Sequence, residues 1–571
     1  MQNFFIFSLF SVFFNDVNIP EGNFLESTRF FVDKDRVSEF LGKRYPVTLV
    51  LFSNSVTGQD GGFSLEGFRA LLADSQYLEA FGNTLVLGLV VTTCTILVGV
   101  PFAYMVARYD FPLKNLVAIL PVLTIVIPEI IVGQSWLLVL GNNGILTNLL
   151  GDAGISLPSF YGWTGMVFSM TLVYYTYIYL GVLAALRGFD GQLEEAGLSL
   201  GTPPFLTKLR VLVPVLLPAV LVNALVVFTL VVGNFALAML LGSRVPLLSV
   251  MTYNTFVSEM GGSPTLQSAM SVVSIAIVAI VLFFQKRVVE RKVYTMTQGR
   301  APAPVRVRSA AGLLFTLTVG LVILASLLPL VVVFIGAFTE TSGPVMRWGS
   351  WSLSSLQRAL HAAPEPIINS LKFSSIATLV GVSFALLVSY LTIKKRNLFT
   401  QVLDYIVVLP LTISGTVLGI ALVQTFNTGW LVLAGTSGIM VLAYTVRRLP
   451  FAVRNASSTL FNIPESIEEA STNLGASTGY TFANITLPLI KPAFLAGLFF
   501  GFTRAMTAVS AIIFLVSARW HHLTVLILSQ TEIMRLGAAS VLSLILIIIV
   551  LIAFAIMRLL VGDTINRQLP S

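Results

Sequence analysis

Four apolar stretches, Leu85 to Ala107, Val215 to Leu241, Ala310 to Ala337 and Leu536 to Met557, are each long enough to cross a bilayer as a helix, because about 20 residues rising 1.5 Å apiece span ~30 Å of hydrocarbon. In hydrocarbon every backbone N–H and C=O has to be bonded within the chain, which leaves helices and closed barrels as the only solutions. The apolar residues run continuously rather than alternating with polar ones, so a barrel does not fit. Of the 571 residues, 56% are hydrophobic and 11% charged, against roughly 25% charged in a soluble globule. The expected fold class is an all-α membrane protein.

Counting along the chain gives about twelve spans: a short one at Phe4 to Phe14, five more ending near Phe284, and six between Ala310 and Met557. Phe4 to Phe14 makes only ~16 Å of helix, and Asn15 to Gly82 reads as a mixed, polar insertion on the outer face. The expected divisions are residues 1–82 for that segment and insertion, 83–285 for a first half, 286–309 for a linker and 310–571 for a second half. The linker carries Lys286, Arg287, Arg291, Lys292, Arg300, Arg306 and Arg308 around Pro302 and Pro304, and positive loops face the cytoplasm. With it inside, the other short basic stretches fall inside too, at Arg108 and Lys114, at Arg187, Lys208 and Arg210, at Lys394 to Arg396, and at Arg447, Arg448 and Arg454. Trp163, Trp348, Trp351 and Trp520 then mark the outer boundary as an aromatic belt. The net charge of +8 follows this topology, so membrane lipid is the expected surrounding and nucleic acid is not a partner.

A short polar pattern occurs twice between spans. Glu195-Ala196-Gly197 is followed by Gly201 and Pro214, and Glu469-Ala470-Ser471 by Gly475 and Pro488, every residue 274 positions from its counterpart. Phe228-Thr229 matches Phe502-Thr503 at the same offset, and Asn83-Thr84-Leu85 answers Asn369-Ser370-Leu371 nearer the start of each half. Both copies run in the same direction, so the repeat is a parallel duplication about an axis along the membrane normal, with a path at the interface. Within each copy the small residues admit close approach of a partner, and the glycine permits a turn that residues with a β-carbon resist. The acids Glu194, Glu195, Glu468 and Glu469 stand at a helix start, where the dipole favours negative charge.

This loop resembles the one by which permeases of binding-protein-dependent ATP-driven importers engage their ATPases. The resemblance spans about Gly82 to Arg558 and implies two tandem six-helix permease halves of the type I ABC importer fold. It further implies that Glu195, Ala196 and Gly201, with Glu469, Ala470 and Gly475, belong to coupling helices that dock on two copies of an ABC ATPase subunit. A solute-binding protein on the outer face, with Leu247 to Glu259 and Leu523 to Arg535 as candidate docking segments, and a place in the bacterial inner membrane are implied as well. The first copy departs from the family pattern at Gly197 and at Thr202-Pro203-Pro204, so the two docking sites are expected to differ. No Gly-x4-Gly-Lys-Ser/Thr occurs in the sequence, so ATP hydrolysis is expected from partner subunits and the chain is not expected to be an enzyme.

Charges inside spans are costly and face a cavity or a partner. Glu129 follows Pro128, and Arg504 takes the place held by Leu230 in the first half. Two readings fit them, a buried Glu–Arg pair or a place on the translocation path, with Asn234 and Ser510 as further path candidates. The single Cys94 reads as packing, and His361, His521 and His522 lack metal-ligand spacing, so neither metal nor cofactor is expected. Fused permeases of this kind resemble those for ferric iron, and Met506 to Leu515 also resembles relatives that carry hexose phosphate or aminoethylphosphonate. An ion-coupled secondary transporter using Glu129, or a scaffold without transport, would leave the paired loops unexplained.

Overall fold

The computed structural model describes residues 47–57, 62–243, 245–258, 263–291, 304–307, 310–342, 345–394, 397–408, 410, 413–428, 431–461 and 463–561. Among the described residues eight helices are long and apolar enough to cross a membrane, or nine if the bent pair Gly479–Lys491 and Phe494–Met506 is one span. The first half comprises α1 (Val47–Ser55), α2 (Glu66–Ala73), α3 (Ser75–Arg108), the two-residue β1 (Tyr109–Asp110), α4 (Lys114–Val126), α5 (Glu129–Leu140), α6 (Ile145–Asp152), α7 (Trp163–Arg187), α8 (Gln192–Ser199), α9 (Val213–Val232), α10 (Ala236–Leu241), α11 (Leu248–Val257) and α12 (Pro264–Arg291). The linker contributes β2 (Val305–Arg306), which pairs in parallel with β1. In the second half stand α13 (Ala310–Ala337), the antiparallel hairpin of β3 (Thr339–Ser342) and β4 (Val345–Trp351), α14 (Ser354–Ala362), α15 (Pro364–Lys394), α16 (Leu398–Val408), α17 (Gly415–Phe426), α18 (Ser437–Phe461), α19 (Glu465–Asn473), α20 (Leu487–Met506), α21 (Leu523–Glu532) and α22 (Leu536–Val561).

The duplication is visible in element lengths. Helices α5 and α17 each have 12 residues, α7 and α18 each 25, and α9 and α20 each 20. The offset between halves is 286 residues at α5 and 274 from α7 onward, and α6 lies in the longer connection of the first half. Both halves widen one turn into a π-helix, at Lys208–Leu212 and Phe482–Thr486, where Val213 and Leu487 bond five residues back. The next residue in each case is a proline with no N–H to continue the ordinary ladder.

Within each half the longest contacts run between α3 and α7 and between α15 and α18, with α9 and α20 against both members of the pair. The α3–α7 crossing is close because Gly99 has no side chain: a β-carbon there would lie 2.8 Å from both Ile178 Cβ and the Tyr175 carbonyl oxygen. Between halves the opening helices cross over. Helix α13 packs on α4 and α5, and α1 packs on α17 and α12. Polar side chains pin both crossings. Ser135 Oγ on α5 donates to the Pro329 carbonyl at 3.1 Å, and Gln134 bonds Ser540 and Ser543 of α22 at 3.0 and 2.9 Å. Asn54 of α1 donates to Gln424 of α17 at 2.9 Å.

Two expectations change. Ser75 to Gly82 are the first turns of α3, and Val47–Ser55 is a helix packed in the bundle, so 15–82 is not a polar outer-face insertion throughout. Phe4 to Phe14 and most of the basic linker lie outside the described residues. Arg447, Arg448 and Arg454 do not form a short cytoplasmic loop but lie within α18. Those arginines are also why α18, the counterpart of the spanning α7, does not stand among the eight apolar spans, its other residues including the buried run Ile439 to Tyr444.

Gly99→Val should lower the unfolding midpoint of the purified protein by several degrees, since overpacking costs about 1–3 kcal/mol. Gly320→Val, on an exposed stretch of α13 with nothing within 4 Å, should leave the midpoint unchanged. Equal behaviour of the two would refute the close α3–α7 crossing.

Candidate functional site

The two polar loops fold into α8 and α19, and in each the neighbouring acids, Glu194–Glu195 in α8 and Glu468–Glu469 in the middle of α19, divide into two kinds. Glu194 pairs with Arg108 at 3.1 Å, and Glu468 with Lys394 at 3.7 Å. These are equivalent contacts, because Arg108 and Lys394 end the equivalent helices α3 and α15. Thr486 adds a 2.7 Å hydrogen bond to Glu468, and Arg108 also lies over the Phe189 ring at 5.3 Å. All four charged groups are largely buried, so removing one partner leaves a desolvated charge. Glu194 and Glu468 therefore anchor the short helices to the spans. Glu195 and Glu469 point outward and are exposed, as are Ala196 and Ala470.

Each helix closes in the same way. Thr202 N bonds to Gly197 O and Ala476 N to Ser471 O, both at 3.1 Å, around Gly201 and Gly475 at φ of +81° and +87°. This is the left-handed cap that glycine adopts without strain. Gly197 and Ser471 face inward rather than toward a partner. Ser471 Oγ bonds Thr481 Oγ1 at 2.8 Å, and a β-carbon on Gly197 would lie 2.8 Å from Thr207 Cγ2. The departure at Gly197 is thus accommodated against Thr207, the counterpart of Thr481. Leu200 and Leu474, beside the turn glycines, are 86% and 90% exposed. Two large apolar side chains held in solvent next to exposed acids form a surface suited to another protein.

The four polar residues singled out inside the spans converge on the seam between the halves. Glu129 is the first residue of α5, just past the break at Pro128, where the helix dipole favours a carboxylate. Tyr174 of α7 donates to Glu129 Oε1 at 2.9 Å, and Asn234 Nδ2 donates to Glu129 Oε2 and to Tyr174 Oη, both at 2.7 Å. Asn234 is itself fixed, since its Oδ1 accepts from Leu237 N at 2.9 Å and its carbonyl from Ser249 Oγ at 2.8 Å. A half-buried carboxylate is tolerable when charge-assisted bonds replace water.

Arg504, in the last turn of α20, crosses the seam to bond Tyr177 of α7 and lies over the Phe500 ring at 5.5 Å. Arg448 Nη2 donates to the Arg504 carbonyl at 2.7 Å. Arg447 and Ser510 both crowd Gly415, where a β-carbon would lie 2.1 Å from Arg447 Nη1 and 2.0 Å from Ser510 Oγ. Among the described residues no ion pair closes directly between Glu129 and an arginine, although Arg447 and Arg504 both lie within its electrostatic reach. Sequence reasoning missed Tyr174, Tyr177, Arg447 and Arg448. The 274-residue offset puts Arg448 at the place of Tyr174, and the 286-residue offset puts Gly415 at the place of Glu129, a substitution of charge types that comparison of the two halves can reveal.

His522 is fully buried, and its Nδ1 accepts from Thr524 N at 3.3 Å at the start of α21. Among the described residues no group of three or more His, Cys, Asp or Glu side chains is placed to hold a metal.

Tyr174→Phe removes one donor from Glu129 and should cost about 1–3 kcal/mol of stability, read as a lower unfolding midpoint in detergent. The double variant Tyr174→Phe, Glu129→Gln should lose less than the sum of the single variants, because the partners share one network. Additive losses would show that they do not.

The family described as binding-protein-dependent transport system inner membrane component matches residues 99–294 and 377–565, one copy in each half. The chain is 26% identical over 530 residues to the ferric transport system permease protein FbpB of Actinobacillus pleuropneumoniae, covering 91% of this chain and 76% of that protein. It is 27% identical over 483 residues to a protein of Haemophilus influenzae also named for ferric transport, covering 83% of this chain and 76% of the relative. A protein of Salmonella typhimurium named for 2-aminoethylphosphonate transport is 28% identical over 250 residues, 43% of this chain and 91% of its own length. A profile described as autoinducer synthase matches residues 3–57, of which the structure describes 47–57 as helix α1 of the bundle and its last turn. Partners of the family's general kind, an ATPase and a binding protein, follow from the first match. The chain belongs to the binding-protein-dependent inner membrane transport components, as a fused two-half, multi-pass permease of an ABC importer resembling ferric iron permeases.

Proposed function

We propose that this chain is the permease of a ferric iron importer, mounted on two ATPase copies through α8 and α19 and supplied by a binding protein on the outer face. The observation that carries the coupling role is the pair of equivalent ion pairs, Arg108–Glu194 and Lys394–Glu468, which tie each short helix to the end of a span. A movement of the docked ATPase would then be transmitted to α3 and α15 through a charged link rather than through a loose loop. Glu195, Ala196 and Gly201 in one copy, and Glu469, Ala470 and Gly475 in the other, form the docking surface. Iron is favoured as cargo because the relatives named for ferric transport align across 91% and 83% of the chain, and the one named for 2-aminoethylphosphonate across 43%. Glu129, Asn234, Arg504 and Ser510 lie at the seam along which the solute would pass.

One observation favours organophosphate import as a second reading: three arginines gather at that seam, and the one carboxylate among them, Glu129, reaches only Arg447 and Arg504. A secondary transporter driven by an ion gradient would leave two anchored helices without a task.

Charge reversal separates docking from anchoring. The double variant Glu195→Lys, Glu469→Lys should insert and purify normally but lose ATPase binding and uptake at least tenfold, and normal uptake would end the docking assignment. Glu468→Lys should destabilise α19 by placing two cations together, and Lys394→Glu in the same chain should restore it. For the cargo, cells carrying this permease with its own ATPase and binding protein should accumulate labelled ferric iron in an ATP-dependent way, undisturbed by unlabelled hexose phosphate. Entry of hexose phosphate in place of iron would move the assignment to organophosphates.

A further inference from the structure

The charge at the seam is lopsided. Arg447, Arg448 and Arg504 lie within electrostatic range of one another, and Glu129 is the carboxylate that acts on Arg447 and Arg504. Glu129 is already engaged by Tyr174 and Asn234. Arg447 Nη1 and Arg448 Nε are buried donor atoms without an acceptor among the described residues. The three arginines keep partial exposure as residues, so the cluster is not sealed into the core.

The position is central. Arg447 lies ten residues into the 25-residue α18, about 15 Å from one end and about 21 Å from the other. Arginines at a membrane surface snorkel to water, whereas these are directed at the seam, one of them bonded to a tyrosine of the opposite half. A charged group held at that depth marks a polar route, and guanidinium forks match planar or tetrahedral oxyanions.

We propose that this cluster is an oxyanion-binding station on the translocation path, so that the transported species passes it carrying net negative charge. The binding chemistry is that of a phosphate-like or carboxylate-like group. Its source is either an anion that accompanies ferric iron or the phosphate of an organophosphate solute. A bare tri-positive ion would meet a net positive barrier there. The proposal rests on the seam being the path, and it refines the iron assignment by stating what must cross with the metal.

Two measurements test it, the first independent of cargo. For the purified permease, inorganic phosphate should raise the unfolding midpoint above that in sodium chloride of equal ionic strength, because a ligand that binds only the folded state stabilises it. That difference should vanish in Arg448→Gln and shrink in Arg447→Lys, which keeps the charge but loses the fork; the Gln variant in chloride reports whether the fold is intact. Equal midpoints for the wild type in the two salts would overturn the proposal while leaving the importer assignment standing. The second measurement uses proteoliposomes of the complete complex, offered iron(III) on its binding protein with radiolabelled phosphate. Phosphate entering with iron in fixed ratio, and both reduced at least tenfold in Arg448→Gln, supports the accompanying-anion source. Hexose phosphate entering without iron, with the same sensitivity, supports the station and overturns the iron assignment alone. Iron uptake indifferent to Arg447→Gln and Arg448→Gln overturns the station.

Discussion

Helices immersed in hydrocarbon gain little from hiding apolar surface against one another, because lipid tails are as apolar as leucine. What holds the two halves together must therefore be close packing and polar contacts between them. The crossing-over of the opening helices supplies both. Helix α13 closes the outside of α4 and α5, and α1 does the same for α17, so each half is completed by a piece of the other. The bonds from Ser135 to Pro329 and from Gln134 to Ser540 are buried on both sides, and breaking them would leave polar atoms without water to replace them. The seam depends on this interlock, and the charged cluster inside it depends on the seam.

Duplication gives the frame its near symmetry, but the chemistry at the centre is divided between the halves. The first contributes an acid with its two hydrogen-bonding partners, and the second contributes three guanidiniums. Tyr174 and Arg448 occupy equivalent places, as do Glu129 and Gly415, Asn234 and Ala508, and Leu230 and Arg504. A fused chain can hold such an asymmetry permanently, since its two halves are never interchanged. Helices α8 and α19, in contrast, keep the same anchor, cap and exposed face in both copies, with Gly197 against Ser471 as the main difference.

Much of the frame was legible in the residues. Continuous apolar runs announced helices, the repeated Glu-Ala and glycine spacing announced two equivalent loops, and the φ of +81° at Gly201 and +87° at Gly475 are what that spacing demands. The division of labour between neighbouring acids was not legible. Glu194 and Glu195 look alike along the chain, and only the direction of each side chain from a short helix, with Arg108 brought beneath it, separates a buried anchor from an exposed acid. The first eighty residues misled for a related reason. Val47–Ser55 is too short to signal a span, and its apolar side chains find a place only because α12 and α17 stand beside it.

By itself the sequence determined that this chain lies in a membrane, that it is built of two parallel copies, and that each copy carries a loop of one design, because hydrocarbon length, repeat offset and glycine geometry are local properties. It also offered Arg447 and Arg448 as one more basic patch. Only the tertiary structure decided that they face Glu129, Tyr177 and Arg504 at the seam. Whether an arginine within a helix meets water or a partner depends on which surface of the neighbouring half it meets, and residues 327 positions apart, such as Tyr177 and Arg504, come together only when both halves have folded and closed on one another.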